Sequence, residues 1–143
     1  MSRRVFVDAS GWIALMYEKD GHHDTAAKLY ERELRQDSQF FISNWTIYEA
    51  FSMIKKKAGI HQAEKLRDLV EDINIVAALK VDSKIEAEAV KLFWDYKDKN
   101  WGIVDITSLL IMKKCHCQYA LAFDQHFREA AEQFEHPFKV LEL

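Results

Sequence analysis

The segment RVFVDASGW, Arg4 to Trp12, indicates how the fold begins. Its apolar centre at positions 5–7 predicts a short buried strand, and Asp8 ends that strand. The sequence over about 10–17 is helix-like, so Asp8 stands at a strand-to-helix junction. Aspartate is a favoured helix N-cap, which is one explanation for this residue. A metal ligand at the carboxyl end of a strand is the other, and Asp8 alone does not separate them.

The same pattern, an apolar run that ends in aspartate, occurs again in GIVD at Asp105 and in LAFD at Asp124. Ligands of open parallel sheets bind outside the carboxyl ends of the strands, so Asp8, Asp105 and Asp124 are expected to meet at one edge. Carboxylates this close repel each other, and Mg²⁺ or Mn²⁺, which prefer oxygen ligands, would relieve the repulsion. Capping and metal binding both remain open for the three together.

Glu49 is a fourth acidic candidate, in a helix predicted from a cap at Ser43 or Asn44 to Ala58. At about 100° per residue, the apolar side chains form one stripe and Glu49 falls on the opposite face. A glutamate in that position is ordinarily a solvated surface residue. Trp45 lies on the same face, however, and such a mixed face suits a cleft or a partner surface better than bulk water.

Strand-like and helix-like segments alternate along the chain. This alternation predicts an α/β fold with a mostly parallel sheet, in a single domain over residues 1–143. Strands are predicted at 4–8, 40–43, 74–81, 119–123 and in the final FKVLEL, and helices at about 10–17, 23–36, 44–58, 61–72, 83–99 and 105–114, with a short helix or loop after Asp124.

The composition restricts the class of protein. A chain of 143 residues with 49% hydrophobic content can fill one core, and no apolar run approaches the ~20 residues that span a bilayer. The net charge of −3 neither indicates nor excludes a nucleic-acid partner. Two cysteines with one residue between them exclude a disulfide framework, so we expect reduced thiols and a cytoplasmic protein.

Four segments of this chain resemble motifs of the PIN-domain ribonucleases, and of their VapC-type toxins in particular. They occur in the family's order and are VFVDASGWIAL, SNWTIYEAFSMI, DKNWGIVDITSLLIMKK and YALAFDQHF. The resemblance covers essentially the whole chain. It implies a PIN fold, with helices on both faces of the sheet and with Asp8, Glu49, Asp105 and Asp124 around Mg²⁺ or Mn²⁺. The chain departs from the family at Gly102, where relatives often have a polar residue.

The resemblance also implies the activity, which is endoribonucleolytic cleavage that leaves a 5′-phosphate and a 3′-hydroxyl. Asp8 and Asp105 would be central ligands, and the other two acids would bind directly or through water. Ser10 matches a hydroxyl that family members carry near the site. Ser108, one turn from Asp105 on the same side of the helix, is the candidate for a second hydroxyl. Lys56 shares a helix face with Glu49 and is the candidate RNA contact, although a solvated helix end also explains it.

The family further implies a cognate antitoxin and a homodimer. The main alternative is a non-catalytic PIN-like module that binds RNA or protein, but such relatives usually lose acidic residues and this chain keeps all four. His126 is close to Asp124 in sequence and could reach substrate, but we interpret it as an ordinary loop histidine. We expect the four tryptophans to pack in the core or at an interface, and stacking of Trp45 or Trp101 on RNA bases is the alternative.

Overall fold

A computed structural model describes residues 2–143 and confirms the α/β fold with a parallel sheet. The strand order is β3-β2-β1-β4-β5, and every neighbouring pair is parallel. Val5 of the central strand is in register with Phe40 on one side and Tyr119 on the other. The strands are β1 Arg4–Val7, β2 Gln39–Ser43, β3 Val76–Leu79, β4 Tyr119–Leu121 and β5 Lys139–Val140.

Helices cover both faces of this sheet. The helices α1 to α4 pack on one face and α5 to α7 on the other, and each set encloses its own buried apolar cluster. None of the helices over residues 2–143 has the length and apolar composition needed to cross a membrane. The helices are α1 Ala9–Met16, α2 His23–Arg35, α3 Asn44–Ala58, α4 Ile60–Val70, α5 Ser83–Asp95, α6 Ile103–Cys115 and α7 Gln125–Gln133.

The central strand shows why both faces are covered. Val5 and Val7 point into the cluster under α1 to α4, whereas Phe6 points into the cluster under α5 to α7. All three side chains are completely buried. Successive side chains of a strand point to opposite faces, so an unbroken apolar run requires a layer of helices on each side.

Two predicted helix boundaries are wrong, and both flank the loop before the Asp105 helix. The helix α5 ends at Asp95 rather than near Lys99, and the Tyr96 ring packs on Trp101, with 4.8 Å between ring centroids. The helix α6 begins at Ile103, so Asp105 lies inside its first turn rather than at its start. At the start of α6, the Asp105 carboxylate accepts from the backbone N–H of Gly102, so this acid caps the helix from inside its first turn.

Gly11 allows α1 to approach β4 closely. A Cβ atom at this position would lie 2.5 Å from the backbone oxygen of Leu121 and 3.0 Å from a methyl carbon of Val7. These contacts are too short for any side chain, and the first is to backbone. The absence of a side chain at Gly11 therefore fixes the start of α1 against the end of β4, where Asp8 and Asp124 lie.

Candidate metal centre

The four predicted acidic residues lie around the carboxyl edge of the sheet. Asp8 directly follows β1, Asp124 follows β4 after two residues, Asp105 is in the first turn of α6, and Glu49 is in the second turn of α3. Burial raises the pKa of Glu49, and the charges of Asp105 and Asp124 raise it further. The charge of Asp105 also raises the pKa of Asp8. Asp105 thus acts electrostatically on both Asp8 and Glu49, and Asp124 acts on Glu49.

Asp8 is the most deeply buried of the four, with 8% of its surface exposed. Burial raises the pKa of its carboxyl to about 6, although hydrogen bonds from Ser10 lower it and the charge of Asp105 raises it. Its Oδ2 atom accepts from the Ser10 hydroxyl at 2.8 Å and from the Ser10 backbone N–H at 3.3 Å. A buried carboxylate held by neutral donors alone is costly to ionise, and a nearby cation would offset this cost.

Ser10 connects two parts of the site. Its hydroxyl donates to Asp8 and accepts from the backbone N–H of Phe123 at 3.0 Å. Phe123 precedes Asp124, so one side chain ties the end of β1 to the segment after β4. In this position Ser10 holds the Asp8 carboxylate in one orientation.

His126 also lies in this cluster, so its interpretation as an ordinary loop histidine is wrong. It occupies the first turn of α7, and its Nδ1 atom is 3.2 Å from Oδ2 of Asp105 and 3.5 Å from Oδ1 of Asp124. The three ligand atoms lie within 4.8 Å of one another. The spacing in Asp124-Gln125-His126 offered a signal, because a residue two positions after an N-cap stays near the capping carboxylate.

Helix capping and convergence of the carboxylates prove compatible. Asp8 caps α1, and Asp124 caps α7 by accepting from the His126 backbone N–H at 2.7 Å. Asp105 accepts from the Gly102 backbone N–H at 2.9 Å. A carboxylate has about four lone-pair sites, so these bonds orient each group without using all of its acceptors.

Ser108 lies behind the acidic cluster. It is completely buried, and its hydroxyl bonds to Thr46 and to the Val104 carbonyl oxygen, each at 3.1 Å. The Ser43 hydroxyl donates to Thr46, which completes a chain of hydroxyls from α3 to α6. Ser108 therefore links the helix of Glu49 to the helix of Asp105, and its hydrogen bonds go to that chain rather than to the four carboxylates.

The remaining candidates from the sequence differ in how deeply they are buried. Lys56 is exposed on α3, seven residues after Glu49, which is about 10 Å along the helix axis. Trp101 is 2% exposed and packs in the core, which confirms the expected core or interface packing and excludes stacking on RNA. Trp45 is half-buried against the same cluster.

The sequence model of the PIN domain matches residues 5–133, which is most of the chain. This protein belongs to the PIN-domain family. The resemblance of the four motifs is confirmed, and the observed fold agrees with it.

Relatives of this PIN domain include proteins named 23S rRNA-specific endonuclease VapC20, from two strains of Mycobacterium tuberculosis. Each is 28% identical over 126 residues, which cover 88% of this chain and 93% of the relative. The crystal structure of M. tuberculosis VapC20, described as a toxin that cleaves the sarcin–ricin loop, superposes with a TM-score of 0.79. It has 26% identity, and the match covers 88% of this chain and 94% of that one. The similarity extends over nearly the full length in both comparisons.

The PIN domain's acidic residues suit a divalent cation. Asp8, Glu49 and Asp105 supply hard oxygen donors, which Mg²⁺ and Mn²⁺ prefer. Within residues 2–143, no Lys or Arg side chain pairs with any of the four acids, and His126 is their one ion-pair partner. The raised pKa of Asp8 and of Glu49 indicates that negative charge here lacks compensation from the protein.

Proposed function

We propose that this PIN domain is an endoribonuclease that depends on Mg²⁺ or Mn²⁺ and acts as the toxin of a toxin–antitoxin pair. The observation that carries the proposal is the buried Asp8 carboxyl, whose pKa is raised to about 6 beside Asp105, with no Lys or Arg pairing with it among residues 2–143. Such a group is costly to the fold unless a cation binds to it. The names of the VapC20 relatives support RNA as the substrate.

The positions of the residues support the following proposed roles. Asp8 and Asp105 are the central ligands, and Asp124 and Glu49 bind directly or through water. Ser10 fixes the Asp8 carboxylate through its 2.8 Å hydrogen bond. A divalent cation held by these residues would supply Lewis-acid activation of a phosphate oxygen and of water, and hydrolysis would leave a 5′-phosphate and a 3′-hydroxyl, as the family resemblance implies.

Ser108 is proposed as a positioning residue. The hydroxyl chain through Thr46 holds α3 against α6, which keeps Glu49 at a constant distance from Asp105. In this role Ser108 affects the site through the packing of two helices.

The proposal is tested by expression in a bacterial host without an antitoxin. Wild-type protein should arrest growth and produce new RNA 5′ ends that carry phosphate, whereas Asp105→Asn should do neither. The sarcin–ricin loop of 23S rRNA is the first region to map, because the related toxin cleaves it. Equal arrest by both proteins would contradict the catalytic proposal and favour a module that acts by binding.

Lys56 is proposed to contact the RNA backbone. Lys56→Ala should weaken RNA binding and reduce the dependence of log K on log salt by about 1, because one phosphate contact is lost. The matched control is Lys84→Ala, an exposed lysine on α5 at the other face of the sheet. A salt slope that is unchanged in Lys56→Ala would contradict the assignment.

An antitoxin and a homodimer belong to the same proposal. Tyr48 and Ile60 are large apolar side chains that are 60% and 49% exposed on α3 and α4, next to Glu49 in the case of Tyr48. A partner that covers them would bury apolar surface close to the site. Light scattering that detects only monomer at high concentration would contradict the homodimer.

A further inference from the structure

Two carboxylate oxygens and one imidazole nitrogen come together at the N-terminal end of α7. They are Oδ2 of Asp105, Oδ1 of Asp124 and Nδ1 of His126, all within 4.8 Å of one another. Within residues 2–143, the imidazole supplies the one nitrogen atom among the possible metal ligands of this group, and the side chain of His126 is 37% exposed. Its backbone is fixed, because the N–H of His126 donates to Asp124 at 2.7 Å.

The spacing of these atoms fits ligands of one ion. Adjacent ligands of an octahedral ion with bonds of about 2.1 Å lie about 3 Å apart. Nδ1 of His126 lies 3.2 Å from the Asp105 oxygen and 3.5 Å from the Asp124 oxygen. Each oxygen already accepts one backbone N–H, and each retains a further lone pair for a cation.

We propose that the neutral imidazole of His126 is a metal ligand, which together with Asp105 and Asp124 makes this site bind a divalent transition ion such as Mn²⁺ in preference to Mg²⁺. The inference rests on the proposed function, because it concerns the metal of that same site. Mg²⁺ is hard, prefers oxygen and keeps several waters, so an imidazole nitrogen adds little to its binding. A transition ion accepts imidazole nitrogen readily, so this additional ligand raises the affinity of the site for the transition ion and not for Mg²⁺.

The competing role for His126 is that of a hydrogen-bond donor. With a proton on Nδ1, the ring would bridge the two carboxylates at the observed distances and orient them for any cation. The two roles differ in one respect that can be measured. A donor supports Mn²⁺ and Mg²⁺ alike, whereas a nitrogen ligand discriminates between them.

The test is Mn²⁺ and Mg²⁺ binding to the full chain by calorimetry, together with pulsed EPR of bound Mn²⁺. The variants are His126→Asn and His126→Ala, and the control is His61→Asn on α4, where the imidazole is 91% exposed. Asparagine can donate an N–H near the position of Nδ1 but lacks the imidazole nitrogen, whereas alanine removes the donor and the ligand together. We expect a directly bound ¹⁴N coupling in wild type and in the control, absent from both His126 variants. The Mn²⁺ Kd should rise at least about tenfold in both variants, and the Mg²⁺ Kd should change less than about threefold.

Several results would overturn the inference. Mn²⁺ that binds to wild type without ¹⁴N coupling would overturn it while leaving the metal-dependent nuclease intact, and no substitution is needed for this measurement. Wild-type Mn²⁺ affinity in His126→Ala would show that the imidazole does not bind the ion. An equal loss of Mn²⁺ and Mg²⁺ affinity would show a donor role instead. A wild-type protein that binds neither ion would overturn both this inference and the proposed function.

Discussion

Two buried carboxylates of this protein differ in how their charge is compensated. Glu33 in α2 is completely buried, and it accepts from Arg3 at 2.9 and 3.1 Å and from Ser38 at 2.7 Å. Burial pushes the pKa of Glu33 up, but the bonds from Arg3 and Ser38 and the charges of Arg3 and Arg32 outweigh it, so the pKa lies below its usual value. Glu33 has its own cations and serves the fold.

Asp8 is nearly as buried, and its pKa is raised to about 6. Ser10 supplies hydrogen bonds to it, whereas the nearest charge, that of Asp105, is repulsive. Because Glu33 and Asp8 are both buried, burial alone does not identify a functional acid. A buried acid whose compensating cation has to come from solution indicates a binding site.

The largest effect is expected when Glu33 loses its main cationic partner and so comes closer to the situation of Asp8. Arg3→Met removes the bidentate partner and should lower the free energy of unfolding by about 3 to 4 kcal/mol, because a buried charge loses its main partner. The measurement is urea denaturation at neutral pH. Arg128→Met, which breaks an exposed pair with Glu142, is the control and should cost less than about 1 kcal/mol. Similar losses in both variants would contradict the importance assigned to the Arg3–Glu33 pair.

A smaller effect of opposite sign is expected when Asp8 loses its charge. Asp8→Asn should raise the free energy of unfolding of the metal-free protein at pH 7.5 by about 2 to 3 kcal/mol. The unfolded carboxyl ionises near its ordinary pKa of 3.8 and the folded one near 6, so wild type loses stability as the pH rises through this window. Asparagine does not titrate.

Denaturation of both proteins at several pH values in the presence of a chelator measures this difference. The two stability curves should diverge from about pH 4 to pH 6 and then run parallel. Parallel curves through that window would show that Asp8 is not destabilised in the fold.

The smallest effect concerns the metal. Saturating Mn²⁺ or Mg²⁺ should raise the Tm of wild type more at pH 7.5 than at pH 5.5, by the equivalent of about 1 kcal/mol. At the lower pH most Asp8 carboxyls still carry the proton that a cation has to displace, since their pKa is about 6. Thermal melts with and without metal at the two pH values test this. A metal effect in Asp8→Asn as large as in wild type would remove Asp8 from the ligand set.

The sequence predicted the fold and the location of the four carboxylates because the signals for both lie within short segments. An apolar run that ends in aspartate shows the strand, its end and the acid together, as at Asp8 and Asp124. Glu33 and His126 escaped detection for the opposite reason. Arg3, the partner of Glu33, is 30 residues away, and Asp105, which His126 contacts besides its local neighbour Asp124, is 21 residues away, so a local window shows neither arrangement in full.

Trp101, which we expected in the core or at an interface, lies in the core. Its neighbours Asn100 and Gly102 indicate an exposed loop, yet the ring packs against Tyr96 and Phe134 in the core. The position of a tryptophan in a loop depends on which helices the loop crosses, and local polarity does not report this.

The parallel pairing of β1 with β4 has a consequence for the synthesis of the protein. The hydroxyl of Ser10 and the N–H of Phe123, which close the site, are 113 residues apart. A chain on the ribosome can pair β1, β2 and β3 early, but the strand that carries Asp124 emerges late. The acidic centre is therefore complete only when nearly the whole polypeptide has been made, so an incomplete chain on the ribosome lacks the full set of acidic residues.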